Sequence, residues 1–124
     1  MKLVEVYHFR VIAPAQYVAE LLRSIEKAVP LTYGNYDRVA WVSSPGTGQC
    51  RVLPGANPAS RKDLNVIAEE DDLLQMECVT VEFSIPRDDA LMRSVIEDGI
   101  YPAHPWDDPG VFVYPAHETR KWET

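Results

Sequence analysis

Cysteine, histidine and positive charge are all scarce in this chain, and each scarcity closes a class of function. Two cysteines, Cys50 and Cys78, among 124 residues build neither a disulfide framework nor a CxxC pair. Both sit in apolar, strand-like surroundings, where a free thiol packs as a small hydrophobe, and the pattern fits a reducing cytoplasm. Twelve Lys and Arg stand against nineteen Asp and Glu, a net charge of −7. Phosphate backbones and anionic bilayers both call for a basic face, so nucleic acid and membrane are excluded as partners. A local patch at Arg51, Arg61 and Lys62 does not offset that balance. No apolar run approaches the ~20 residues of a spanning helix. Glu5 interrupts the opening segment where a secretory signal needs uninterrupted apolar residues. GxSxG, HExxH and an ordered Ser–His–Asp set are missing too, so the chain carries no hydrolase signature.

What is there is strand and helix patterning broken by turn residues. Hydrophobic residues make up 46% of the chain, enough for one core, and the length suits a single domain. Residues 3–11 alternate as a strand, with Leu3, Tyr7, Phe9 and Val11 on one face and Val4 and Val6 on the other. Pro14 sits where a first helical turn accepts proline. Val18, Leu21, Leu22, Ile25, Ala28 and Val29 then recur at helical spacing until Pro30. Residues 38–44 and 49–53 read as short strands facing each other across Pro45-Gly46-Thr47-Gly48, a type II turn in which glycine supplies the positive φ. Residues 54–72 carry no strong period apart from a short strand near 64–68, and a loop of that length is expected to be functional or to contact another subunit. Residues 73–85 form the longest strand, with Val79, Val81, Phe83 and Ile85 alternating against Thr80, Glu82 and Ser84. Pro86 opens a second helix with Asp88 and Asp89 in its first turn. Leu91, Met92, Val95 and Ile96 form its apolar face, and Gly99 is its expected C-terminal cap. Residues 111–114 are the last strand, and the polar tail over 116–124 is expected to fray, with Trp122 as its anchor.

That order amounts to two strand–helix–strand halves, each with a right-handed crossover. It predicts an α+β, ferredoxin-like βαββαβ sandwich with an extra hairpin and a long central loop, one domain over residues 1–115 and a tail over 116–124. Both helices cover one sheet face. The other face, carrying Val4, Val6, Met76 and Cys78, is left to a partner, and symmetric oligomerisation is the economical cover.

Three loop segments concentrate the polar chemistry. In His104-Pro105-Trp106-Asp107-Asp108-Pro109 the prolines hold His104 and Asp108 out of the helical region, so a stiff turn presents an imidazole and two carboxylates. Two readings stay open: a ligand or divalent-metal site using His104, Asp107 and Asp108, or a rigid entry into an edge strand with His104 hydrogen-bonded. His8 and His117 join the available ligand set if the first and last strands pair. Gly46-Thr47-Gly48 is no phosphate loop, since a strand and not a helix follows the glycines. At Gly55-Ala56-Asn57-Pro58, backbone amides around Gly55 and the Arg51 guanidinium suit a phosphate or carboxylate. A loop that only caps a subunit edge is the alternative there. Tyr36 and Asp37, after Gly34-Asn35, orient a turn. Cys50, beside Arg51, has no histidine partner for nucleophilic work.

Gly34-Asn35-Tyr36-Asp37, then Gly46-Thr47-Gly48-Gln49, Arg51 and Leu53-Pro54-Gly55-Ala56-Asn57-Pro58, and finally the His104 segment together resemble the PII/CutA-like module. That module occurs inserted in YqfO-type proteins and as a stand-alone chain. The resemblance covers residues 3–115. It implies a ferredoxin-like fold, a homo-oligomer that is a trimer or a multiple of it, and no settled activity. It also implies that the equivalent region and the cleft between subunits hold anions or nucleotides. With the residues read above, the expected seat of a small anionic ligand is near Arg51, Gly55 and Asn57, completed by His104, with the output passed to a partner protein. The departures are specific. The last motif is usually His-Pro-Tyr-Glu-Glu-Pro, an aromatic is common at Cys50 and a small residue at Leu31, and Ala59-Ser60-Arg61-Lys62 replaces an isoleucine–glycine continuation. The dinuclear-metal part of YqfO-type proteins lies outside this sequence, so its chemistry does not transfer. The expected function is a non-enzymatic oligomeric binding module. A metal-binding trimer built on the His104–Asp107–Asp108 turn and a purely structural assembly module are the alternatives.

Overall fold

The computed structural model describes residues 1–56 and 66–122. Asn57, one of the expected ligand residues, lies outside the described residues. The elements run β1 (Lys2–Ala13), a 3₁₀ turn (Ala15–Tyr17), α1 (Val18–Ala28), β2 (Trp41–Val42), β3 (Gly46–Cys50), β4 (Val66–Glu70), β5 (Leu73–Pro86), α2 (Asp89–Ser94), a π-helical turn (Val95–Ile100), α3 (Tyr101–Ala103) and β6 (Gly110–Arg120). The sheet order is β2-β5-β1-β6, with β3 and β4 on the first half of β5 and every pairing antiparallel. This is the ferredoxin-like α+β arrangement that the alternation of strands and helices predicts. No helix among the described residues is long and apolar enough to cross a membrane.

The helices cover one face of the sheet. Phe9 stacks on Phe83 with ring centroids 4.9 Å apart, and Leu21, Ile25, Val95 and Ile100 close over them with no exposed surface. Each such side chain removed from water stabilises by about 1.5–3 kcal/mol. Asp88 caps α2 by accepting from the Leu91 amide at 2.9 Å, which satisfies one of the helix's free N–H groups.

Four local expectations change. Pro45-Gly46-Thr47-Gly48 is not a hairpin turn: β2 and β3 run on as one edge segment beside β5. Val42 faces Val81 and Gly46 faces Cys78, so one extra residue bulges between them. A Cβ at Gly48 would stand 3.1 Å from Cys78 Sγ, so close strand packing, not turn geometry, calls for that glycine. The extra hairpin is instead β4–β5, turning at Asp71 and Asp72 with φ of 51° and 64°, the two left-handed positions of a type I′ turn. Gly99 does not cap a helix. It lies inside the π-helical turn, where a Cβ would be 3.3 Å from Ile25 Cα, and its carbonyl accepts from Ser24 Oγ at 2.6 Å. The tail does not fray at Ala116, because β6 continues to Arg120, which faces Lys2 across the ladder.

The second sheet face is also less bare than its sequence implies. Leu74 and Met76 are buried against Cys50, Val52 and Trp106, a small core that belongs to the β3–β5–β4 extension. Val6 is buried, and Arg87 spans this region through bonds to the Val6 and Ala116 carbonyls at 3.2 and 2.6 Å. Among the described residues, Trp41, Phe112 and Tyr114 are large aromatic residues left exposed on the open face.

Candidate functional site

The His104 turn is built inward. His104 is buried, its Nε2 lies 2.7 Å from the Ile12 carbonyl and its Nδ1 lies 3.2 Å from the Trp106 amide. A carbonyl only accepts and an amide only donates, so Nε2 carries the hydrogen and Nδ1 is bare. Burial lowers the imidazole's pKa below the ordinary histidine value, against a smaller opposing effect of the Ile12 bond. Trp106 meets the His104 ring edge-on at 5.0 Å and inserts into the small core with Leu74 and Met76. The turn therefore joins the far end of β1 to the extension.

A metal at this turn would compete for ring nitrogens that both have partners. Asp107 and Asp108 are exposed, and no group of three or more His, Cys, Asp or Glu among the described residues is placed to hold a metal ion. His8 and His117 do not approach the turn although β1 and β6 pair. His117 faces Glu5, seven residues down β1 from Ile12, which is roughly 23 Å along the strand. His8 instead lies 2.9 Å from Ser84 Oγ and 3.1 Å from Glu82 on the open face.

Arg51 lines a cavity of about 380 Å³ with Val52, Leu53, Pro54 and Asp72. Gly55 closes the following turn with a φ of 100°. The Asp72 carboxylate shares the cavity with the guanidinium. His104 is not among the residues that line this cavity.

A larger cavity lies elsewhere, at the end of the sheet where β1 begins and β6 finishes. It measures about 650 Å³ and is lined by Lys2, Tyr33, Tyr36, Arg120, Lys121 and Trp122 among others, within the range of small-ligand sites. The loop after α1 delivers the tyrosines. Tyr33 and Tyr36 exchange backbone bonds at 2.7 and 3.0 Å across Gly34-Asn35, with Gly34 at a φ of 58°. The Tyr33 hydroxyl donates to the Thr119 carbonyl at 3.1 Å, which ties the turn to β6. Arg120 lies over the Tyr33 ring at 4.2 Å, donates to the Thr119 carbonyl and pairs with Glu118, both at 3.0 Å. Its guanidinium is thus held in place before any ligand arrives. Lys121 lies 5.3 Å from the Trp122 ring. Among the described residues three cations and no carboxylate line this cleft, with Glu118 paired to Arg120 at its border, in a chain whose net charge is −7.

Sequence reasoning picks out the Gly34-Asn35-Tyr36 turn but not its basic neighbours. Lys2, Arg120 and Lys121 sit near opposite ends of the chain, and only the β1–β6 register makes them neighbours. The available signal is an adjacent pair of basic residues, Arg120 and Lys121, between the two glutamates of the tail, Glu118 and Glu123.

No protein-family model and no curated protein matches the sequence. Solved structures match it by fold. The Bacillus cereus protein related to NIF3 is similar over 94% of this chain and 27% of its own, at 25% identity and a TM-score of 0.65. CutA1 from the psychrotrophic bacterium Shewanella sp. SIB1 is similar over 95% of this chain and 87% of its own, at 10% identity and a TM-score of 0.60. The divalent ion tolerance protein CutA1 from Ehrlichia chaffeensis is similar over 94% of this chain and 85% of its own, at 12% identity and a TM-score of 0.59. The chain thus spans only 27% of the NIF3-related protein, and most of the length of each CutA1 chain.

Proposed function

We propose, for a chain whose fold is that of the PII/CutA-like modules, that it is the subunit of a non-enzymatic oligomeric binding module that takes a small anionic ligand. The observation that carries this reading is the cleft at Lys2, Arg120 and Lys121, a cavity that among the described residues is lined by three cations and no carboxylate, in a strongly acidic chain. An anion there gains charge-assisted hydrogen bonds from donors already in place. The same residues would repel nothing but cations, so selectivity for negative charge is built in. The cleft is a better seat than the loop at Arg51, Gly55 and Asn57, because Asp72 faces the Arg51 cavity and His104 has both nitrogens committed. The oligomer is supported by the exposed Trp41, Phe112 and Tyr114 on the sheet face that no helix covers.

Isothermal titration with inorganic pyrophosphate tests the site. Saturable binding is expected to weaken at least tenfold in a Lys2→Ala/Lys121→Ala double variant and to fall steeply with added salt. Binding abolished by Arg51→Ala and untouched by the double variant would move the ligand to the 51–57 loop. Absence of saturable binding would leave a structural assembly role.

A further inference from the structure

The cationic cleft does not stand alone. Thr32 and Tyr33 also line a second cavity of about 280 Å³, whose other walls include Leu31, Val39, Ala40, Trp41 and Phe83. Most of that lining is apolar. Of its polar members, His8 is engaged with Ser84 and Glu82, Glu118 with Arg120, and the Tyr33 hydroxyl with the Thr119 carbonyl. The two chambers meet along β6, where Glu118 borders the apolar one and Arg120, two residues on and on the same strand face, borders the cationic one. Two residues of strand are roughly 7 Å, the span of a ring joined to a charged group through one or two bonds. A volume of about 280 Å³ takes a single or fused ring, given that roughly 150 Å³ suffices for benzene. It does not take a long acyl chain.

We infer that the ligand of this module is an aryl anion, an apolar aromatic ring carrying a phosphate or carboxylate, with the ring in the Val39–Trp41 chamber and the charge at Lys2, Arg120 and Lys121. This rests on the anion-binding reading of the cleft and narrows it. The wall chemistry separates an apolar ring from a nucleobase. A base brings several donors and acceptors into a chamber whose His8, Ser84, Glu82 and Glu118 are already paired, and each group left unmatched costs its desolvation. An apolar ring loses nothing on entering and gains stacking on Trp41 and Tyr33. Inorganic phosphate fills only the cationic half.

The test compares three probes by isothermal titration on the whole chain: 2-naphthyl phosphate, AMP and inorganic phosphate. 2-Naphthyl phosphate is expected to bind at least tenfold more tightly than either of the others. Val39→Asp, at a position 37% exposed and outside the main core, is expected to bring the ratio of 2-naphthyl phosphate to phosphate affinity close to one. Lys2→Ala/Lys121→Ala is expected to weaken both probes together. Phosphate or AMP binding as tightly as 2-naphthyl phosphate would overturn the aryl-anion inference and leave the anion cleft standing. Naphthyl binding indifferent to the lysine variants would overturn it too, as adhesion to an apolar surface. Failure of every probe, together with pyrophosphate, would remove the cleft itself.

Discussion

His104 lies between a carbonyl that can only accept and an amide that can only donate, and this fixes both its tautomer and its charge. A proton added at Nδ1 would point at the Trp106 N–H, so protonation breaks the latch as well as placing a charge in a buried site. The unfolded chain takes up that proton near pH ~6.5, while the folded chain does so only at lower pH. Stability is therefore whole above the ordinary histidine pKa and is lost as pH falls from there through the lowered folded value. His104→Ala is expected to cost about 2 kcal/mol at neutral pH, since the Ile12 carbonyl loses its side-chain donor. It should also flatten the pH dependence just below neutrality. Urea unfolding at pH 7.5 and 5.5 checks both, and an unchanged pH dependence in the variant would assign the acid sensitivity to other groups.

The β3–β5–β4 extension projects from the main sheet with a core of its own, and Trp106 is the one large ring in it. Leu74 and Met76 are buried against Trp106, Cys50 and Val52, while the helices cover only the second half of β5. The two halves of that strand thus depend on different partners. Trp106→Ala should loosen the extension alone, because the Phe9–Phe83 core shares no residue with it. Hydrogen exchange is the measurement: amides of residues 46–50 and 73–78 should lose at least tenfold in protection, with α1 and β1 unchanged. Uniform loss across the chain would mean that the two cores fold as one unit. Within the His104 motif the aromatic thus has a packing role, and the histidine a hydrogen-bonded one.

At the scale of the whole molecule, the uncovered sheet face is the candidate subunit contact. Trp41, Phe112 and Tyr114 are 67%, 42% and 44% exposed there, and Arg10 lies over the Phe112 ring at 4.9 Å. If this face joins subunits, Phe112→Glu/Tyr114→Glu should convert the oligomer to monomer, because carboxylates buried in an interface lack partners. Native mass spectrometry of wild type and variant reads this directly. An unchanged oligomer in the variant would place the contact elsewhere, and a wild-type monomer would remove the oligomer from the proposed function.

The amino-acid sequence by itself determined the local elements and their order. Alternation over 73–85, helical spacing from Val18 to Val29 and the prolines at Pro14, Pro30 and Pro86 act through neighbouring residues, and they are enough to specify the ferredoxin-like sandwich. Glycine roles were legible only in part. Gly48 and Gly99 occur in turn- and cap-like contexts, yet each is called for by a neighbour distant in sequence, Cys78 and Ile25. The candidate site was decided by tertiary structure alone. Lys2 meets Arg120 through an antiparallel register that spans almost the entire chain, and the Tyr33 hydroxyl reaches Thr119 from the loop after α1. No local period encodes such a pairing, because register is set by which faces must be buried together.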